Sequence, residues 1–345
     1  MKILVLGGTG FLGPYVVRYL SEMGHDVTIF HTGKHEPDLP PQVTHIHSPS
    51  ATRVIREIPG EVRNLAPEVV LHMVPVGEHD ARLVVDAFKG VAGRLVAISS
   101  QDVYRAHGRL LLTEPGPPDP IPLTEDSPLR EKLYPYRGET PRSEDDPMRW
   151  IDDYDKILVE RIVLGERDLP GTVLRLPRVY GPGDNQHRLF PYLKRMDDGR
   201  PAILLDEGVA AQRVSWSYVE NVAWAIALAV HDQRASGRVY NVAEPEGVSQ
   251  QEWVGQIAAA VGWNGEVSAV PKGLLPMPYD VSQHSVADDS RIREELGYSE
   301  PVPQEEALRR TIDWERANPP AKIDPADFDY ASEDAILLSL GRADC

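Results

Sequence analysis

Cysteine is nearly missing from this 345-residue chain; the only one is Cys345. A single thiol excludes intrachain disulfides and thiolate metal clusters, and it suits a reducing, cytoplasmic setting. Long hydrophobic runs are missing too: none approaches the ~20 residues a membrane-spanning helix needs. The first apolar stretch stops at Gly7, with no basic segment before it and no small-residue cleavage site after it, so no secretory leader is read there. Positive charge is scarce, with 36 Lys and Arg against 53 Asp and Glu and a net charge of −17. That balance disfavours sequence-independent nucleic-acid binding, which depends on cationic surface. The 11 histidines contain no H-E-x-x-H or other compact ligand spacing, so spacing predicts no metal site. No repeat with the period of a solenoid or propeller is visible.

What is present begins at the first residue. Ile3 to Leu6 form a continuous apolar run, the pattern of a strand buried on both faces of a parallel sheet. Gly7, Gly10 and Gly13 follow at G-x-x-G-x-x-G spacing, interleaved with Thr9, Phe11 and Leu12. Glycines there let the backbone turn sharply, admit a pyrophosphate and pack helix against strand. A helix then starts near Phe11, with Pro14 tolerable in its first turn. The free N–H groups and positive dipole end of that helix suit an anion.

Strands are expected at 25–30, 43–47, 68–74, 94–99 and 171–176, and helices at 54–65, 82–88, 151–166, 219–230, 252–261 and 288–296. Alternation of this kind argues a Rossmann-type, doubly wound parallel α/β sheet. The expected division is a dinucleotide domain over 1–170, then 171–317 shared between the sheet and a smaller C-terminal substrate lobe. A tail, 318–345, carries a last short helix over 334–340. Residues 105–150 are rich in proline and acids and read as a long irregular loop, the kind that serves as a lid or stays disordered. Trp216, Trp224 and Trp253 fall at apolar positions and are assigned to the core.

The ordered motifs resemble the extended short-chain dehydrogenases/reductases, the NAD-dependent epimerase/dehydratase group. They are the glycine turn at 7–13, Ser99-Ser100-Gln101-Asp102-Val103-Tyr104 and Lys156-x-x-x-Glu160. To these add the run 174–183 ending in Tyr180-Gly181-Pro182-Gly183, Arg213-x-x-x-Ser217-Tyr218, Tyr240-Asn241-Val242 and Ser290 through Gly297. The resemblance implies NAD(P) on a Rossmann domain, a lobe closing over a small substrate, often a nucleotide sugar, and a homodimer formed through the helices at 81–88 and 151–166.

It also implies roles. Ser100 stands where the family holds the substrate oxygen, and Asp102 where sugar dehydratases keep an acid/base carboxylate. The neighbouring position is Gln101, so a two-carboxylate elimination lacks one partner. Lys156 aligns with the lysine that holds the nicotinamide ribose. Four residues before it the family has its tyrosine; this chain has Asp152. Tyr154 lies two residues before Lys156, about 160° away on a regular helix, against about 40° for an i−4 position. A helix starting after Tyr154 would relax that argument. Three readings stay open. Tyr154, Tyr134 or Tyr136 supplies the hydroxyl; Asp152 or Asp102 does the acid/base work with a pKa raised by burial; or the fold is a non-redox, nucleotide-binding relative, including the RNA-associated kind.

The cofactor set is Gly7, Thr9, Gly10, Phe11, Leu12, Gly13, Lys156 and the end of the second strand, His31, Thr32 and Lys34. No carboxylate appears there before Glu36, and Thr32 and Lys34 suit a 2′-phosphate, so the sequence leans to NADP with NAD as the alternative. His47-Ser48-Pro49 replaces the family's usual Gly-Asp near adenine. Arg213, and Arg178 in place of a common asparagine, favour an anionic substrate; His187 and Arg188 are further cleft candidates.

Overall fold

The computed structural model describes residues 1–50, 52, 54–244, 247–275 and 279–341; Cys345 lies outside them. The first half runs β1 (Lys2–Leu6), α1 (Gly13–Glu22), β2 (Asp26–His31), β3 (Thr44–His47), α2 (Gly60–Arg63) and β4 (Val69–His72). It continues through α3 (Glu78–Phe88), β5 (Arg94–Ser100), α4 (Arg105–Leu110), α5 (Lys156–Gly165) and β6 (Gly171–Leu176). The second half adds β7 (Arg178–Tyr180), α6 (Phe190–Asp197), β8 (Ala202–Asp206), α7 (Glu207–Ala211), β9 (Arg213–Val214), β10 (Trp216–Tyr218) and α8 (Val219–His231). It ends with β11 (Val239–Asn241), β12 (Val248–Ser249), α9 (Gln250–Val261), β13 (Glu266–Val270), α10 (Ser290–Leu296), α11 (Gln304–Ala317) and α12 (Tyr330–Ser339).

Seven strands form the main sheet in the order β3-β2-β1-β4-β5-β6-β11, and every pairing is parallel. A parallel sheet covered on both faces needs apolar residues on both sides of each strand, and β1 supplies them. Ile3 and Val5 enter one core with Val16, Val17, Leu20 and α8; Leu4 and Leu6 enter the other with α3 and α5. The order reverses between β1 and β4, the switch point where doubly wound sheets open a crevice at their strand ends. Beyond the sheet, β8 with β13, β7 with β10 and β9 with β12 form small two-stranded sheets around α6, α7 and α9. α12 reaches back over α6, where Arg195 pairs with Glu333 at 2.6 Å.

The helix expected over 54–65 shrinks to the single turn of α2. Pro59 is its N-cap in an extended conformation (ψ 151°), and a proline both lacks an N–H and pushes the preceding residue out of helical space. The 105–150 stretch opens with α4 and is tied down along its length. Arg105 forks onto Asp119 at 2.6 and 3.1 Å, and Arg130 donates from Nε to the Asp102 carbonyl at 2.5 Å. Trp216 and Trp253 stack in the core with centroids 4.9 Å apart; Trp224 is half-buried against Tyr19.

One polar tie crosses the sheet. Arg175 in β6 forks onto Glu160 in α5 at 2.7 and 3.0 Å, with the two residues 4% and 3% exposed. Ser99 Oγ donates to the same carboxylate, and Arg175 Nη1 reaches the Tyr104 hydroxyl, which in turn donates to Asn241 at the end of β11. Removing one partner strands a buried charge. Glu160→Ala is expected to cost about 3–5 kcal/mol in urea unfolding, and Glu160→Leu with Arg175→Met to recover much of it; equal losses in both variants would refute this.

The glycine turn makes a second stability test. A Cβ on Gly13 would lie 2.3 Å from the Gly8 carbonyl carbon, whereas one on Gly10 meets nothing within 4 Å. Gly13→Ala should lower stability by about 1–3 kcal/mol, as overpacking does, while Gly10→Ala leaves the thermal midpoint within a degree or so of wild type.

Candidate active site

The crevice at the switch point is floored by the turn after β1. Gly7 and Gly8 adopt φ of +94° and +87°, a backbone region that L-side chains avoid. Gly13 brings α1 hard against that turn, and Gly10 alone of the triplet leaves open space above its backbone. Thr9 is half-exposed beside it, and Phe11 and Leu12 pack their side chains on the core. No side chain caps the start of α1, no acid occupies its first turn, and Pro14 stands at its first positions. An uncapped helix N-terminus over an open glycine is the cradle a pyrophosphate fits.

At the end of β2, His31 is buried while Thr32 is half-buried and Lys34 is exposed. Thr32 Oγ1 accepts a 3.4 Å bond from the Lys34 backbone N–H, and the Lys34 ammonium faces no carboxylate within ion-pair distance among the described residues. Glu36, the first acid after β2, turns back to the histidines of β3, with an oxygen 2.8 Å from His47 Nε2.

The catalytic candidates gather where β5 ends. Ser100 is the last residue of β5, and its hydroxyl accepts from the Asp102 backbone N–H at 3.2 Å, capping a 3₁₀ turn over Gln101–Val103. Gln101 faces away, donating to the Val242 carbonyl at 3.0 Å. The helix expected over 151–166 begins only at Lys156. Asp155 is its N-cap, accepting from Ile157 N–H at 2.9 Å, and a 3₁₀ turn over Arg149–Asp153 precedes it. Tyr154 and Asp155 are extended, with φ, ψ of −71°, 120° and −157°, 108°. Residues two apart on extended backbone share a face. Tyr154 and Lys156 therefore point the same way, with Lys156 Nζ 5.5 Å from the Tyr154 ring centre. This corrects the opposite-face expectation drawn from a regular helix.

Lys156 Nζ donates to the carbonyls of Pro75, just after β4, and of Ile98 in β5, the latter at 3.0 Å. That anchors its charge beside the switch-point crevice. The Tyr154 hydroxyl donates to Asp102 Oδ2 at 2.8 Å and also meets the Ser100 hydroxyl. Burial first, and the Asp102 carboxylate next, hold the Tyr154 hydroxyl well above its ordinary pKa, so it carries its proton at neutrality. Tyr136 also donates to Asp102 Oδ2, at 3.1 Å, and contacts His107 Nε2 at 3.2 Å. Asp102 Oδ1 is buried with no hydrogen-bond partner among the described residues.

Two other candidates are spent elsewhere. The Asp152 carboxylate accepts from the Arg142 backbone N–H at 2.7 Å and pairs with the Arg142 guanidinium. Those bonds hold its pKa below the usual range, so the raised value required of a proton donor is not met. Tyr134 lies under the Arg137 guanidinium, 3.8 Å from ring centre to Cζ. His107 had no signal in the sequence, because it joins the cluster from α4 through Tyr136, which the long loop brings to it. Burial lowers its pKa, and the charges of Arg130 and Arg178 lower it further while Asp102 opposes them.

Arg178 thus acts on the cluster electrostatically. Its guanidinium lies over the Trp216 ring, 5.6 Å from the centre, with no hydrogen bond or ion pair among the described residues. It is open to solvent yet surrounded by enough protein, including Tyr192 and Tyr279, for desolvation to lower its pKa, as for a charge lining a cleft. Arg213 donates from Nε to the Gly247 carbonyl at 2.9 Å, and no contact brings it to the cluster. His187 and Arg188 are engaged by Glu315 and Asp184, each at 2.7 Å. No helix of the described residues is long and apolar enough to cross a membrane.

Comparison with known proteins agrees with this geometry. A profile of the NAD dependent epimerase/dehydratase family matches residues 3–104 and 131–243. The chain is 31% identical over 290 residues to a 2-alkyl-3-oxoalkanoate reductase of Stenotrophomonas maltophilia, covering 76% of each protein. It is 24% identical over 350 residues to a UDP-N-acetyl-alpha-D-glucosaminuronate decarboxylase of Bacillus cytotoxicus, covering 91% of this chain and 98% of that one. Among solved structures, the Bordetella bronchiseptica enzyme WbmG in complex with NAD and UDP shares the fold, with a TM-score of 0.67 at 19% identity over 93% and 96% of the two chains. Its relatives are epimerases, dehydratases, decarboxylases and reductases. A glycine turn at a switch point, a serine, tyrosine and lysine converging on the neighbouring strand end, and a profile spanning most of both sheet halves lead to one assignment: the chain belongs to the NAD-dependent epimerase/dehydratase family of enzymes.

Proposed function

We propose that this enzyme interconverts a carbinol and a carbonyl on a small anionic or sugar-like metabolite, using a nicotinamide dinucleotide. The observation that carries the proposal is the convergence of Ser100, Asp102, Tyr154 and Lys156 at the end of β5, beside the glycine crevice. Gly7, Thr9, Gly10, Phe11, Leu12 and Gly13 hold the dinucleotide's pyrophosphate on the start of α1, and Lys156 holds the nicotinamide ribose. The bound nicotinamide supplies or accepts the hydride. The protein's own share is the proton. Ser100 and Tyr154 hold the substrate oxygen, and the Tyr154–Asp102 pair exchanges one proton with it. In the oxidative direction Tyr154 takes the substrate proton as it passes its own to Asp102 Oδ2, the oxygen it already bonds at 2.8 Å; reduction reverses both transfers. His107 and Tyr136 keep Asp102 oriented.

Arg178 favours an anionic substrate, because its planar fork over Trp216 matches a carboxylate or phosphate edge. The oxo-acid named for the Stenotrophomonas relative and the nucleotide sugar named for the Bacillus relative both carry such a group. With Gln101 turned to Val242, an elimination that needs paired carboxylates is disfavoured relative to simple oxidation, reduction or epimerisation.

For the dinucleotide, we infer NADP. Thr32 and the ammonium of Lys34 flank the end of β2, while Glu36 is engaged with histidines and does not offer itself to ribose hydroxyls.

Tyr154→Phe is expected to lower kcat at least a hundredfold, the lower range for losing a proton-transfer group, with a KM within threefold of wild type. Asp152→Asn should keep most of the activity in the same hydride-transfer assay. The reverse ranking would move the chemistry to Asp152. Lys34→Ala should cut the NADP-over-NAD affinity ratio about tenfold by isothermal titration, a loss of some 1.4 kcal/mol. An unchanged ratio would remove the phosphate role of Lys34.

A further inference from the structure

Three histidines and a glutamate meet at the C-terminal ends of β2 and β3, although spacing in the sequence predicts no metal site. Pairing of β2 with β3 sets His31 directly beside His47, and His45 lies two residues before His47 on the same face. The turn after β2 then folds Glu36 onto all three. His31 Nε2 and His45 Nδ1 are 3.2 Å apart, and His45 Nδ1 is 3.2 Å from Glu36 Oε2. Glu36 Oε1 lies 2.8 Å from His47 Nε2 and 3.8 Å from His31 Nε2. All four ligand atoms fall within 4.8 Å of one another.

We propose that His31, Glu36, His45 and His47 form a binding site for a divalent transition metal of the zinc type. A tetrahedral ion with bonds of about 2.0–2.1 Å sets its ligand atoms about 3.3 Å apart. The separations of 2.8 to 3.8 Å straddle that value without any ligand having to travel far. Three imidazoles and one carboxylate are borderline donors that suit zinc, cobalt, nickel or copper; calcium and magnesium want a shell of oxygens, and only one side chain here offers oxygen. The set carries one negative charge when the imidazoles are neutral, so a divalent ion is left at +1 on a chain of net −17.

The protein already supports the ligands. His31 is 4% exposed and wedged between its neighbours, with its ring edge-on to His45 and His47 at centroid distances of 5.2 and 4.9 Å. Coordination through Nε2 leaves the His31 proton on Nδ1, so the 3.3 Å bond from the Gly33 N–H is given up; Gly33 sits in a tight turn at φ +70° that can turn its amide to water. His45, His47 and Glu36 are exposed, which leaves a path of entry from solvent. A bound ion would close the loop between residues 31 and 47 over the sheet edge, and it would do so without touching Ser100, Asp102, Tyr154 or Lys156.

The test uses the full-length chain without a polyhistidine tag, stripped with chelator and titrated with ZnCl₂ by calorimetry. One equivalent should bind with micromolar or tighter affinity and raise the thermal midpoint, and CoCl₂ should give the intense visible absorption of four-coordinate cobalt. His45→Gln with His47→Gln should weaken zinc binding at least a hundredfold, and Glu36→Gln at least tenfold. Should the double variant not fold, His47→Gln alone carries the test, since that side chain is 59% exposed. His25→Gln, at the separate His25–His231 pair, should leave binding unchanged. No stoichiometric zinc in the wild-type titration, or equal binding by the β3 histidine variants, overturns the site.

Discussion

A guanidinium–carboxylate fork, Arg175 on Glu160, joins the sheet to the helix that carries the site. Because both groups are buried, each depends on the other for its charge, and the pair tolerates little displacement. Its remaining bonds fix everything around it. Ser99 beside Ser100, Tyr104 at the end of the Ser100–Tyr104 motif, and Asn241 on the outer strand all hang on the same network. α5 is thus held in one position along β5 and β6, and Lys156 at its first turn reaches the Pro75 and Ile98 carbonyls. The cluster of Ser100, Asp102, Tyr154 and Lys156 stands on packed elements tied together by a buried ion pair.

Tyr154 and Lys156, two residues apart, come to one face because of where α5 begins. A tyrosine four residues before the lysine meets it on a helix; a tyrosine two before it meets it on extended chain. Asp155 makes the difference. It caps α5, accepts the Tyr134 N–H at 2.6 Å, and lies 3.5 Å from the buried Arg130 guanidinium, which keeps residues 154–155 extended and outside the helix. Asp152, in the 3₁₀ turn ahead of α5, is an anchor for Arg142. The proline-rich loop delivers Tyr136 to Asp102 and to His107 on α4.

The other end of the crevice shows the same dependence on strand register. Parallel pairing of β2 with β3 sets His31 against His47, and the short turn returns Glu36 to them. A carboxylate that in sequence is the nearest candidate for ribose hydroxyls is thereby drawn into a histidine cluster. Thr32 stays half-buried and Lys34 exposed in the same turn, joined by the Lys34 N–H bond to Thr32 Oγ1.

Much of this was legible without coordinates. The apolar run Ile3–Leu6 and the glycines after it determine a strand, a sharp turn and a helix start, because those conformations are local and only glycine adopts or fits them. Alternation of buried strands with amphipathic helices determined the doubly wound sheet in the same way, since periodicity records which faces meet a core. The helix over 54–65 was overread because Pro59 outweighs its periodicity. What only the tertiary structure decided were arrangements that depend on residues far apart in sequence. Tyr154 beside Lys156 depended on a cap held by Tyr134; Asp102 meeting Tyr136 depended on a loop path with no period; the histidine cluster depended on register between two strands. Each is a long-range hydrogen-bond or pairing geometry, and a linear pattern holds no record of it.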